Sequence, residues 1–129
     1  MITGSVNSRR EAIIQLDILG PGGQRQTVDG VIDTGFNGFL TLPGQAIVAL
    51  GLQRFGSVRV VLADGSEDLF PTYKATVEWD GARRDVEVDA ADSDPLVGMA
   101  TLAGQELRIK VVTGGAVTCR GDAVTTSVN

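Results

Sequence analysis

The chain has 129 residues, 43% of them apolar, with 11 basic and 16 acidic side chains and a net charge of −5. That is enough for one domain with a true core, and an acidic chain with no basic run longer than Arg9-Arg10 or Arg83-Arg84 is a poor partner for nucleic acid or anionic membrane. The lack of any histidine excludes His-based nucleophilic catalysis and His-ligated metals, and the single cysteine, Cys119, excludes intrachain disulfides and thiolate clusters.

Residues 1–11 are polar and read as a loose N-terminal segment. A strand is predicted over 12–19, with Ile14, Leu16 and Ile18 on one face at period two. Gly20-Pro21-Gly22-Gly23 is a turn, and 26–32 returns as the second strand of a hairpin. A short apolar strand over 39–42 precedes a short helix over 43–50, with Pro43 at its start and Gly51 as its stop. Strands over 58–62 and 67–70 flank Ala63-Asp64-Gly65-Ser66, and strands over 73–79 and 83–88 flank Asp80-Gly81; both are Asp-Gly hairpins. An acidic loop follows over 89–95. Leu96-Val97-Gly98 is a short apolar element ahead of a helical turn at 99–103. Strands over 107–112 and 116–119 flank Gly114-Gly115, and residues 120–129 read as a loose C-terminal segment.

The reading is an all-β domain over 12–119 with one or two short helices and seven or more strands. The two halves echo each other at an offset of about 60 residues, hairpin then apolar turn then helix, as an architectural repeat. The opening residues hold no apolar segment ahead of a cleavage site, and glycines and Pro43 interrupt the uncharged stretch over 34–53, so a cytoplasmic protein without a membrane span is expected.

Chemistry concentrates at Val31-Ile32-Asp33-Thr34-Gly35-Phe36. Asp33 follows two β-branched apolar residues, where a carboxylate is costly unless it is hydrogen-bonded or paired. Gly35 lets backbone approach the carboxylate and donate an N–H, and Thr34 adds a hydroxyl. Read alone, Asp-Thr-Gly is an ordinary β-turn in which Asp33 caps the chain.

The ordered set of elements resembles the retropepsin-like aspartic proteases, especially their small bacterial members with one Asp-Thr-Gly per chain. The likeness rests on Ile32-Asp33-Thr34-Gly35-Phe36, Leu40-Thr41-Leu42-Pro43, the Ala63-Asp64-Gly65 turn, Val97-Gly98-Met99 and Gly114-Gly115-Ala116-Val117. It covers roughly residues 12–119 and implies a closed β-barrel-like acid protease fold with a homodimeric active site. Carboxylate-only peptide hydrolysis needs one ionised group to activate water and one protonated group on the carbonyl side. Two carboxylates about 3 Å apart share a proton readily. Leu96-Val97-Gly98 occupies the equivalent half-site without a carboxylate, so the second Asp33 comes from a second chain across a two-fold axis.

The resemblance implies roles residue by residue. Asp33 is catalytic. Thr34 bonds across the dimer, Gly35 donates its N–H to the carboxylate, and Leu96, Val97 and Gly98 pack beneath the loop. Leu62, Ala63, Asp64, Gly65 and Ser66 form a flap over an extended polypeptide substrate, and Phe36 lines the pocket with Leu62. No cofactor or metal is expected. Phe36 stands where retroviral and pepsin-like enzymes carry a small or hydroxyl residue, which implies activity at weakly rather than strongly acidic pH. Asp64 at the flap tip implies a bias toward basic substrate residues. The alternative is a catalytically silent dimeric peptide-binding or assembly module of the same fold.

Other features read as ordinary structure. Asp85, Glu87 and Asp89 mark a solvated strand face. The 89–94 loop lacks the glycine and terminal glutamate of a calcium loop. Trp79 and Tyr73 pack in strands, and Cys119 is a small buried residue.

Overall fold

A computed structural model describes residues 1–121. Ten strands and two short helices follow in order: β1 (Ile2–Val6), β2 (Ala12–Leu19), β3 (Arg25–Ile32), β4 (Leu40–Leu42), α1 (Gly44–Leu50), β5 (Gln53–Val61), β6 (Glu67–Trp79), β7 (Ala82–Ala90), β8 (Leu96–Val97), α2 (Met99–Leu102), β9 (Gln105–Ile109) and β10 (Ala116–Gly121). The period-two pattern of β2 becomes burial, with Ile14, Leu16 and Ile18 closed to solvent. α1 forms where Pro43 sets the first turn and Gly51 ends it in the left-handed region, at φ 63°. Its buried residues are Ala46, Ile47 and Leu50, one face of the helix.

The strands share one sheet in the order β5-β6-β7-β4-β8-β3-β2-β1-β10-β9. A further pairing of β2 with β6 joins β2, β3, β8, β4, β7 and β6 into a ring. At that closure Asp17 stands opposite Glu78, two like charges that repel. Arg25 reaches both, at 3.2 Å from Asp17 and 2.7 Å from Glu78, and draws the Glu78 carboxyl below its ordinary range. The apolar core fills the ring with Ile14, Leu16, Ile18, Leu40, Leu42, Leu50, Val77, Val88 and Val97.

The expected repeat takes a crossed form. β3 of the first half runs parallel to β8 of the second, and β7 of the second half runs parallel to β4 of the first. Each half therefore supplies the neighbour of the other's key strand.

Four local expectations are corrected. Residues 1–11 are not loose throughout: β1 is hydrogen-bonded between β2 and β10. The separate strands over 67–70 and 73–79 are one strand, β6, which runs through Pro71. Proline is tolerated because Pro71 has a partner only on the β5 side, while pairing with β7 begins at Thr72. The strand over 107–112 instead spans Gln105–Ile109, and residues 120 and 121 extend β10. The expectation for residues 122–129 lies outside the described residues. Among the described residues no helix is long and apolar enough to cross a membrane.

Candidate active site

Asp33 follows the last residue of β3, and residues 33–39 lead from it to β4. The backbone fixes this loop from below. The Asp33 N–H donates to the Val97 carbonyl at 2.9 Å, and the Phe36 N–H donates to the Asp33 carbonyl at 3.1 Å. The Gly35 N–H donates to Asp33 Oδ1 at 2.9 Å, a charge-assisted bond that orients the carboxylate. A Cβ at position 35 would lie 3.3 Å from that oxygen, so glycine gives the amide its close approach. Asp33 is half-buried, while Thr34 and Gly35 are exposed at the tip.

The structure brings Leu96, Val97 and Gly98 against this loop. Val31 pairs with Leu96 and Ile32 with Val97 in the parallel ladder. The Gly98 N–H donates to the Phe39 carbonyl at 3.0 Å, the Met99 N–H to the Phe36 carbonyl at 2.8 Å, and the Ala100 N–H to the Gly38 carbonyl at 3.0 Å. The Phe36 ring lies over Gly38 and Gly98; a Cβ at either would sit 2.6 Å from ring atoms. Phe36 is thus half-buried as a plate pressed on two glycines.

Two threonines in the stitching were given no role by sequence, Thr41 entering only as part of the Leu40-Thr41-Leu42-Pro43 run. Thr41 Oγ1 accepts the Leu96 N–H at 2.9 Å, and the Thr101 hydroxyl donates to the Phe39 carbonyl at 2.6 Å. Both are buried. The available signal was a hydroxyl inside an otherwise apolar run, as in Leu40-Thr41-Leu42.

The expected flap residues lie at the end of the β5–β6 arm. Gly65, at φ 84°, closes the turn, with its N–H on the Leu62 carbonyl at 2.9 Å and the Leu62 N–H on the Ser66 carbonyl at 2.7 Å. Asp64 accepts the Ser66 N–H at 2.9 Å and the Ser66 hydroxyl at 2.5 Å. Those bonds hold its carboxyl below the ordinary range. Asp64 is therefore engaged in closing its own turn. Among the described residues no hydrogen bond links Leu62, Ala63, Asp64, Gly65 or Ser66 to the Asp33 loop. The arm nevertheless carries apolar side chains into solvent: Val61, Leu62 and Leu69 are all exposed.

Asp89 departs from the solvated face expected of it. It lies opposite Thr41 of β4 and Thr72 of β6 and is half-buried beside Gly38. Burial, then the neighbouring Glu87, pushes its carboxyl above the ordinary range. Among the described residues no group of three or more His, Cys, Asp or Glu side chains is arranged to hold a metal ion. A groove of about 520 Å³ runs past Leu19, Phe39, Phe55, Lys74 and Val86, and Asp33 is not among its lining residues.

No protein-family model matches the chain, and no curated protein matches it. Solved structures do. The EIAV protease complexed with the inhibitor HBY-793 superposes with a TM-score of 0.58 at 14% identity, covering 76% of this chain and 90% of that one. A retropepsin-like aspartic protease from Rickettsia conorii superposes with a TM-score of 0.56, also at 14% identity, covering 94% of this chain and 90% of that one. The chain has the retropepsin-like all-β fold.

Proposed function

We propose that the protein is an aspartic endopeptidase whose active site is completed by a second copy of the same chain. The observation that carries this reading is the Asp33 carboxylate itself. It is presented at the end of β3 and oriented by the Gly35 N–H, while the position related to it by the internal repeat, Leu96-Val97-Gly98, offers no carboxylate. One chain therefore supplies one acid. Two Asp33 side chains meeting across a two-fold axis share a proton, and the titrations belong to the pair. The ionised member draws a proton from water, which attacks the peptide carbonyl carbon. The protonated member gives its proton to the carbonyl oxygen; the proton taken from water then passes to the leaving nitrogen while a hydroxyl proton of the tetrahedral intermediate returns to the pair, and the C–N bond breaks to give a carboxylic acid and an amine.

The remaining site residues take roles around that pair. Thr34, exposed beside Asp33, bonds across the dimer and keeps the two loops in register. Leu96, Val97 and Gly98 support the loop from below. The substrate lies extended, with backbone pairing to strand edges. The Leu62–Ser66 turn closes over it and excludes water, with Leu62 and Phe36 as apolar wall. This chemistry requires no metal ion or organic cofactor.

The test is a peptide-library digest from about pH 3 to pH 8 with wild type and Asp33→Asn, with and without a statine-type inhibitor. Cleavage is expected in wild type, absent in Asp33→Asn although that variant folds and dimerises, and blocked by the inhibitor. A wild-type dimer that binds peptides and cleaves none establishes instead a silent binding module. Cleavage that survives Asp33→Asn overturns the role of Asp33.

A further inference from the structure

A second chain has to approach the Asp33 loop, so the surface around that loop decides how the copies fit. The register identifies this surface. Ile13 stands opposite Val31 near the exit of β3, and Val6 stands opposite Ala12 at the start of β2. Val6 is bonded in turn to the next connection: its N–H donates to the Gly115 carbonyl at 2.9 Å, and its carbonyl accepts the Gly114 N–H at 2.8 Å. The turn between β9 and β10 therefore stands at the same end of the sheet as Asp33. It carries Val111 and Val112, exposed by 61% and 52%. Turns normally hold residues that suit water or special backbone angles, and two adjacent β-branched apolar side chains do neither. Met99, 46% exposed, adjoins the same loop through its bond to the Phe36 carbonyl, and Thr34 stands exposed at the tip.

The terminal strands, by contrast, have no edge to offer. β1 is bonded on one side to β2 and on the other to β10, and β10 lies between β1 and β9. Gly4 is fitted to this arrangement: any Cβ there would fall on the Ile13 carbonyl of β2. A partner's strand can take the place of β1 or β10 only by displacing a pairing already made within the chain; the open edge on this side of the sheet belongs to β9, last in the strand order.

We propose that two copies join without exchanging terminal strands. Each keeps β1 and β10 in its own sheet, and the second copy seats on Thr34, Met99 and the Val111–Val112 turn. The proposal rests on the two-carboxylate reading, which supplies the reason for a second copy at this end of the sheet.

Two measurements test it. Thr3 and Thr118 are opposite residues of β1 and β10. The Val6–Gly115 bond makes theirs a non-hydrogen-bonded pair, with Cα atoms about 4.5 Å apart, within reach of a disulfide. In a Cys119→Ala background, Thr3→Cys with Thr118→Cys is expected to run as a cross-linked monomer on a non-reducing denaturing gel. The same sample is expected to sediment as a dimer and to keep wild-type cleavage. A covalent dimer on that gel overturns the absence of strand exchange. Separately, Val112→Asp is expected to weaken dimerisation by about tenfold or more in sedimentation equilibrium while circular dichroism stays that of the folded strands. An unchanged dimerisation constant overturns the surface. A wild-type chain that stays monomeric at every concentration overturns both this proposal and the peptidase reading. A dimer that exchanges strands yet cleaves through Asp33 overturns this proposal alone. A dimer on this surface that cleaves nothing overturns the peptidase reading alone.

Discussion

The floor of the site can be tested at Gly30 and Val97, where one methyl group separates two outcomes. A Cβ at position 30 would meet Val97 Cγ2 at 2.6 Å, while its next neighbours, the Ile14 carbonyl and Leu16 Cδ1, stand at 3.7 and 3.8 Å. Gly30→Ala alone therefore overpacks a single contact, at a cost of about 1–3 kcal/mol. Val97 is fully closed to solvent. Val97→Ala removes two methyl groups at about 0.8 kcal/mol each, with a cavity cost in addition, or about 2 kcal/mol in total. In the double variant the obstructing methyl is gone and the new Cβ occupies part of the space. Its cost is expected to fall below the sum of the single variants by about 1–2 kcal/mol, a favourable coupling of neighbours. Urea denaturation of all four proteins at constant m reads it. Additivity within about 0.5 kcal/mol would refute the close packing of β3 on β8, and with it the support assigned to Val97 beneath Asp33.

At Gly98 the obstruction is backbone as well as ring, because an added Cβ falls on the Gly38 carbonyl and 2.6 Å from the Phe36 ring. Gly98→Ala is expected to cost about 3 kcal/mol and to lower the melting temperature by about 10 °C. Adding Phe36→Ala does not restore it, since the carbonyl remains; a thermal melt that recovers in the double variant contradicts the geometry. Asp89 supplies a pH signature. Its carboxyl is raised by burial and by Glu87, so between the unfolded carboxylate range and that raised value the folded state binds more protons than the unfolded one. Stability therefore falls as pH rises through this window. Asp89→Asn is expected to flatten that part of the stability–pH curve and to gain on wild type above it; an unaltered curve from denaturation at several pH values counts against the burial argument.

Much of this fold is written in local pattern. The alternation of Ile14, Leu16 and Ile18 matches a strand with one buried face, and the Gly20–Gly23 turn returns it as a hairpin. Pro43 and Gly51 bound α1 within a residue. The pairing of Leu96 and Val97 with the strand before Asp33 follows the order of the motifs. What escaped local pattern depends on partners distant in sequence. β1 holds one fully buried side chain, Val6, in a run of glycine, serine and threonine, and its other neighbour, β10, lies more than 100 residues away. Asp89 looks like Asp85 and Glu87 along the strand, and only β4 and β6 on either side distinguish it. Thr41 and Thr101 are polar by composition and buried by context, because each satisfies a backbone group of the other half of the chain.

That last point bears on why, in the proposed mechanism, one chain supplies only half a site. An internal repeat could in principle place a second acid opposite the first within the same molecule. Here the crossed pairing uses the repeat differently. The Val97 carbonyl already receives the Asp33 N–H, Val97 itself is core, and Gly98 lies under the Phe36 ring with no room for even a methyl group. The position equivalent to Asp33 is therefore consumed in building the floor beneath it. A carboxylate installed there would meet packed backbone and ring instead of open cleft, without a donor to hold it, at the desolvation cost of a buried unpaired charge. On the proposed mechanism the second acid has one remaining source, another Asp33, and the rigidity that the repeat gives each loop is what lets two separately folded chains present their carboxyl groups in matching geometry.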